Sequence, residues 1–101
     1  MNPKYQALFE PFTFRSGVQV KNRAAMAPLT NYSSCDDDTV SDDEINYYIR
    51  RTKGVGMTIT ACAYVTPNGK GFPGEFGANS DEMLPSLRRL ASTRKAQGTK
   101  D

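Results

Sequence analysis

Three side chains able to take part in ligand chemistry fall at the ends of apolar segments: Thr30 and Tyr32 follow Ala24–Leu29, and Cys62 lies within Met57–Val65. Thr30 brings a hydroxyl, Tyr32 a phenol, and Pro28 a carbonyl with no N–H. Small, neutral, hydrogen-bonding groups of this kind suit a flat heteroaromatic cofactor, although short loops also use them for structure alone. The chain has no His, which excludes Ser-His-Asp and Cys-His catalysis and any His-based zinc site within it. Cys35 and Cys62 match no metal or CxxC spacing and read as free thiols of a reducing compartment.

Other patterns resolve to structure. Gly69-Lys70-Gly71-Phe72-Pro73-Gly74 spells G-x-G-x-x-G, but a dinucleotide fingerprint must open a helix, and here Pro73 and further loop intervene. Asp36-Asp37-Asp38 and Asp42-Asp43-Glu44 lack the central Gly and terminal Glu of a calcium loop. A solvated loop and a helix N-terminus explain both, so no metal is assigned. Asn31-Tyr32-Ser33 matches a glycosylation sequon, but no apolar leader precedes it.

The elements that must position these groups follow from pattern. At 101 residues the chain is one domain at most, and its 38% apolar content is that of a globular protein. A net charge of +2 makes no case for nucleic acid, and no apolar run is long enough for a membrane span. The chain reads as cytoplasmic. Residues 12–20 form a hairpin: a three-residue loop at Arg15-Ser16-Gly17 pairs Phe14 with Val18 and Phe12 with Val20, placing all four on one face. Residues 24–29 form a short apolar strand. Ser41 and Glu44 make a capping box for a helix over 41–53, with Ile45, Tyr48, Ile49 and Thr52 as its stripe. A nine-residue strand spans 57–65, with Met57, Ile59, Ala61, Ala63 and Val65 on the greasy face. A second helix spans 85–97, burying Leu84, Leu87, Leu90 and Ala91. The fold class is α/β, with a right-handed parallel βαβ unit. Ligands of such folds gather where strands meet their following loops, which is where Thr30 and Cys62 fall.

Leu8-Phe9-Glu10-Pro11-Phe12, Val20-Lys21-Asn22-Arg23 and Met26-Ala27-Pro28-Leu29-Thr30 resemble the opening of the Old Yellow Enzyme family. So do Tyr47-Tyr48 with Arg50-Arg51 and Gly54, Pro67-Asn68-Gly69-Lys70, and Ser80-Asp81-Glu82 before Leu87 and Leu90. The resemblance covers residues 8–100 and implies the N-terminal part of an FMN-binding TIM (β/α)8 barrel, with the hairpin as a lid over its N-terminal mouth. The implied activity is that of an NAD(P)H:flavin oxidoreductase reducing enones, with NADH or NADPH as reductant. The resemblance also implies that Ala27, Pro28, Leu29 and Thr30 line the flavin ring. Thr30 stands where the family bonds the flavin carbonyl edge, Tyr32 where it lines the substrate pocket, and Cys62 where a small residue touches the flavin.

The resemblance implies that the family's flavin-binding Gln, its oxygen-holding His-His or His-Asn pair, the Tyr proton donor of many members and its phosphate-binding Arg come later in the barrel. No catalytic residue is therefore assigned here, and the 101 residues alone are expected to be inactive. A non-catalytic partial barrel or interaction module is the alternative, with open strand edges as a route to self-association. Two positions depart from the pattern: Arg94 on an apolar stripe, and Asp101 where a buried strand should begin.

Overall fold

The alternation of Phe12-Thr13-Phe14 and Val18-Gln19-Val20 resolves into an antiparallel hairpin in the computed structural model, which describes residues 2–100. Its strands are β1 (Phe12–Thr13) and β2 (Gln19–Val20), paired Phe12 to Val20 and Thr13 to Gln19. The Phe14 N–H donates to the Val18 carbonyl at 2.8 Å, and Gly17 turns with φ +93°. The three-residue loop is the one expected, because only Gly takes that φ without a Cβ penalty. Val20 is buried, while Phe14 and Val18 at the tip stay exposed.

Next come β3 (Ala25–Met26), α1 (Asp42–Thr52), β4 (Met57–Thr58), β5 (Ala63–Tyr64), β6 (Phe76–Gly77) and α2 (Leu84–Ala96). β3 and β4 are parallel, in register Ala25 to Met57 and Met26 to Thr58. The far edge of β4 is not left open. Met57 bridges Lys100 in parallel, with Thr58 N donating to Lys100 O at 2.7 Å and Lys100 N to Gly56 O at 2.9 Å. Lys100 thus makes an isolated parallel bridge on that edge; Asp101 lies outside the described residues.

α1 starts as expected. Ser41 Oγ accepts from Glu44 N at 3.2 Å, and Glu44 Oε1 accepts from Ser41 N at 3.2 Å. Three acids sit in the first turn and Arg50 and Arg51 in the last, which complements the helix dipole. Ile45, Tyr48 and Thr52 are buried, but Ile49 is exposed. The core gathers Val40, Ile45, Tyr48, Ala61, Phe76 and Leu90, with Met26, Tyr47, Ala63 and Leu87 packed against it.

Four expectations are corrected. The strand expected at 24–29 is regular only over Ala25–Met26; Pro28 has no N–H to offer a ladder, and the segment from Ala27 to Thr30 is exposed. The strand expected at 57–65 is broken into β4 and β5. Between them Ala61 N–H finds no strand partner and donates to the Tyr48 hydroxyl at 2.9 Å. Burial is the reverse of that expected on both sides of the break: Ile59 and Val65 are exposed, whereas Thr58 and Tyr64 are buried. Thr58 tolerates burial because its hydroxyl pairs with that of Thr99 at 2.8 Å. β5 pairs in parallel with β6, a strand inside the stretch expected to be plain loop. On α2, Leu84 is exposed, and Arg94 takes the buried stripe position with its guanidinium 5.4 Å from the centre of the Tyr48 ring.

The Lys21-Asn22 pair locks the end of the fold where the strands begin. Lys21 Nζ donates to Lys53 O at 2.5 Å and to Gln97 O at 3.4 Å, so one ammonium reaches the carboxyl ends of both helices. Asn22 donates to Gly54 O at 2.9 Å and accepts from Ala24 N at 3.0 Å. Gly56 passes so close to Asn22 that a Cβ would lie 2.4 Å from its carbonyl oxygen.

Candidate functional site

The opposite end of the parallel pair carries the chemistry-bearing groups. After Met26 the ladder continues for one more bond, from Ile59 N to Met26 O at 3.2 Å. Both chains then leave the sheet. The segment from Ala27 to Thr30 emerges on one side and Cys62 on the other, all exposed. Thr30 Oγ1 and Cys62 Sγ lie 3.9 Å apart, a weak hydroxyl–thiol contact between residues 32 apart in sequence. The two strand-end groups expected to be neighbours are neighbours.

This shelf is neutral. Its side chains are a methyl, a proline ring, the half-exposed Leu29, a hydroxyl and a thiol. Next to Thr30, the Asn31 Nδ2 is buried with no partner in the protein. A neutral hydroxyl and thiol suit the edge of a planar ligand better than they suit an anion or a metal.

Tyr32 is 69% exposed, and its ring meets that of Phe72 edge-on, with centroids 4.7 Å apart. The loop carrying Phe72 is stitched to the loop carrying Tyr32. Ser34 N donates to Gly74 O at 3.2 Å and Gly77 N to Asp38 O at 2.9 Å. Gly74, at φ +89°, runs against the Tyr32 backbone, where a Cβ would fall 2.3 Å from the carbonyl oxygen.

The acidic run, read from sequence as a solvated loop, holds this seam. Asp38 takes φ 66°. Its carboxylate accepts from the Tyr64 hydroxyl and from Lys70 Nζ at 2.6 Å. The Lys70 and Tyr64 hydrogen bonds hold the Asp38 carboxyl below its usual range, while the Asp38 bond pushes the Tyr64 phenol up to about 12. Hydrogen bonds from Thr39 likewise lower Asp37. Of the second acidic cluster, Asp42 pairs with Arg89, and Glu44 serves the capping box and accepts from Ser34 Oγ at 2.8 Å. The G-x-G-x-x-G stretch opens no helix: a single 3-10 turn covers Pro67–Gly69, and Gly71 N donates to Glu75 Oε1 at 2.8 Å.

Sequence reasoning did not single out Asp38, Lys70 or Phe72 as members of this region. Nothing in the pattern pairs these segments. A separate hollow of about 240 Å³, lined by Phe12, Phe14, Val20, Ala25 and Met57, lies under the hairpin at the other end of the strands.

Residues 7–100 match the NADH:flavin oxidoreductase / NADH oxidase family. The chain is 55% identical over 100 residues to the probable NADH-dependent flavin oxidoreductase YqiG of Bacillus subtilis, covering 99% of this chain and 27% of that protein. It superposes on 2-naphthoyl-CoA reductase, solved with 2-naphthoyl-CoA, with a TM-score of 0.87 at 31% identity, over 94% of this chain and 14% of that one. The Old Yellow Enzyme homologue of Zymomonas mobilis gives a TM-score of 0.81 at 27% identity, over 92% of this chain and 26% of that one. The chain thus spans about a quarter of the curated relative's length. Its parallel βαβ unit is the opening of a TIM barrel, and the chain belongs to the NADH:flavin oxidoreductase / NADH oxidase family, the Old Yellow Enzymes, as an N-terminal portion of their barrel.

Proposed function

We propose that these residues supply the first wall of the flavin-ring site in an FMN-dependent NAD(P)H oxidoreductase that reduces activated C=C bonds, such as those of enones. The observation that carries this reading is the approach of Thr30 and Cys62 to 3.9 Å across the carboxyl ends of two parallel strands. Ligands of barrel folds bind at that end. Ala27, Pro28, Leu29, Thr30 and Cys62 would hold the FMN ring, and Tyr32 would line the acceptor pocket.

The donor set fits the ring rather than the phosphate. The shelf is uncharged, and Lys70 on the second loop is engaged by Asp38. A phosphate anchor must then come from elsewhere in the barrel. FMN, when bound, supplies a hydride obtained from NADH or NADPH to the electron-poor alkene, which also takes up a proton to give the saturated product. Thr30 would hold the ring edge by its hydroxyl. The apolar shelf from Ala27 to Leu29 would keep water from the face it covers, and Tyr32 would orient the acceptor. The oxygen-holding and proton-donating groups belong to later parts of the barrel.

The test is Thr30→Ala in the complete FMN-loaded protein. FMN content should hold, while the midpoint potential falls. One hydrogen bond favouring the more negative reduced ring is worth roughly 1–3 kcal/mol, or about 20–65 mV for a two-electron couple. An unchanged potential overturns the role given to Thr30.

A further inference from the structure

We propose that Ser34 is a positioning residue for the acceptor: held by the buried Glu44 carboxylate, it fixes the loop that carries Tyr32. This rests on the placement of Tyr32 in the acceptor pocket given above. The two cap bonds of Glu44 are local to the first turn of α1 and by themselves need no buried acid. Glu44 is nevertheless 1% exposed, and its Oε2 is buried with no hydrogen-bond partner among the described residues. Burying a carboxylate in this way costs free energy. What the burial adds is reach. Glu44 Oε1 accepts from Ser34 Oγ at 2.8 Å, a shorter bond than either it makes with Ser41. Hydrogen bonds to a carboxylate are of the stronger, charge-assisted kind.

Ser34 is also a junction. Its hydroxyl reaches α1 and its N–H donates to Gly74 O at 3.2 Å, so the helix and both loops meet at one residue. Gly74 passes so close to Tyr32 that a Cβ there would fall 2.3 Å from the Tyr32 carbonyl oxygen. The backbone is therefore held under Gly74 at Tyr32 and against Glu44 at Ser34. These points are two residues apart, at most about 7 Å of chain. The Tyr32 side chain is exposed, so its place depends on this backbone rather than on burial. Glu44 thus serves two ends: its bonds to Ser41 start the helix, and its bond to Ser34 holds the loop.

The experiment uses the complete FMN-loaded protein, NADH, and 2-cyclohexen-1-one as the probe acceptor. Ser34→Ala should raise KM for the enone, up to the roughly 2- to 13-fold that one net hydrogen bond is worth. It should leave kcat, bound FMN and the flavin midpoint potential unchanged. Ser34→Thr, which keeps the hydroxyl, should keep the wild-type KM. Ser41→Ala, which weakens the cap but leaves the Ser34 bond, should lower stability at wild-type KM. In a Tyr32→Ala background, Ser34→Ala should add no further increase, because the ring it places is gone. A wild-type KM in Ser34→Ala, an equal further increase without Tyr32, or the same KM increase from Ser41→Ala overturns the proposal. Should Ser34→Ala lose FMN, Ser34→Cys takes its place, since a thiol is only a weak donor, and a wild-type KM there overturns it equally. Failure of the underlying reading shows separately: a wild-type KM in Tyr32→Ala removes Tyr32 from the acceptor pocket, and the proposal with it.

Discussion

Replacing Tyr48 by Phe isolates one hydrogen bond that joins the core to the candidate site. Tyr48 is 1% exposed, and its hydroxyl accepts from Ala61 N at 2.9 Å in a buried setting. Ala61 sits in the gap between β4 and β5, immediately before Cys62, and this bond replaces the ladder bond it lacks. Phe keeps the ring, and with it the edge contact to Tyr47 at 5.3 Å, the Arg94 contact and the packing against Ile45 and Leu90. The loss is therefore confined to the hydroxyl, and it strands a buried N–H. That costs about 1–3 kcal/mol, more than the net value of an exposed hydrogen bond. Hydrogen exchange at the Ala61 amide in the complete protein reads the effect directly: protection should drop roughly 5- to 150-fold. Amides at the middle of α2 should be far less affected. If Ala61 keeps wild-type protection in Tyr48→Phe, the side-chain bond does not hold the break, and the account of why the strand splits fails with it.

Other outcomes follow from the same geometry. Ser41→Ala removes the acceptor for Glu44 N at 3.2 Å and should destabilise the protein by about 1 kcal/mol in urea unfolding. Ser41→Asp, which keeps an acceptor, should recover most of that. Tyr64 is raised to about 12 because ionising it beside the Asp38 carboxylate is unfavourable. A folded value above the unfolded one near 10 means that this contribution is full below about pH 10 and is lost as the pH rises towards 12. In an ultraviolet difference titration, the phenol missing from Tyr64→Phe should be one that ionises later than ordinary tyrosines; loss of a phenol titrating near 10 would count against the Asp38 bond.

What could be read from the sequence was what is local. The capping box, the Gly17 turn and the parallel pairing of two apolar segments each depend on residues a few positions apart or on period alone. The strand break was hidden because its cause, the Tyr48 hydroxyl on Ala61, spans 13 residues and the alternating pattern runs straight through it. Asp38 was hidden in a run of three acids that reads as solvent-facing; its partners Tyr64 and Lys70 lie 26 and 32 residues away. Phe72 was obscured by the glycines around it, which drew attention to a phosphate motif. Arg94 stood out as a violation of the apolar stripe; it is buried all the same, with its guanidinium over the Tyr48 ring. The position of Ala27 to Thr30 and of Cys62 at strand ends was legible because it follows from the topology of a parallel α/β unit.

The two ends of this segment are built on opposite electrostatic plans, and that division bears on its use. Where the strands begin, a full charge is spent on structure: Lys21 reaches the carbonyl ends of both helices, which carry partial negative charge. Where the strands end, charge is kept off the shelf. Asp38 and Lys70 neutralise each other, Asp42 pairs with Arg89, and Glu44 is turned inward to cap α1. A ring bound at Thr30 and Cys62 would then meet only dipoles from this wall. A hydroxyl and a thiol can adjust the electron affinity of such a ring in small steps, whereas a fixed charge at the same distance would change it in one large step.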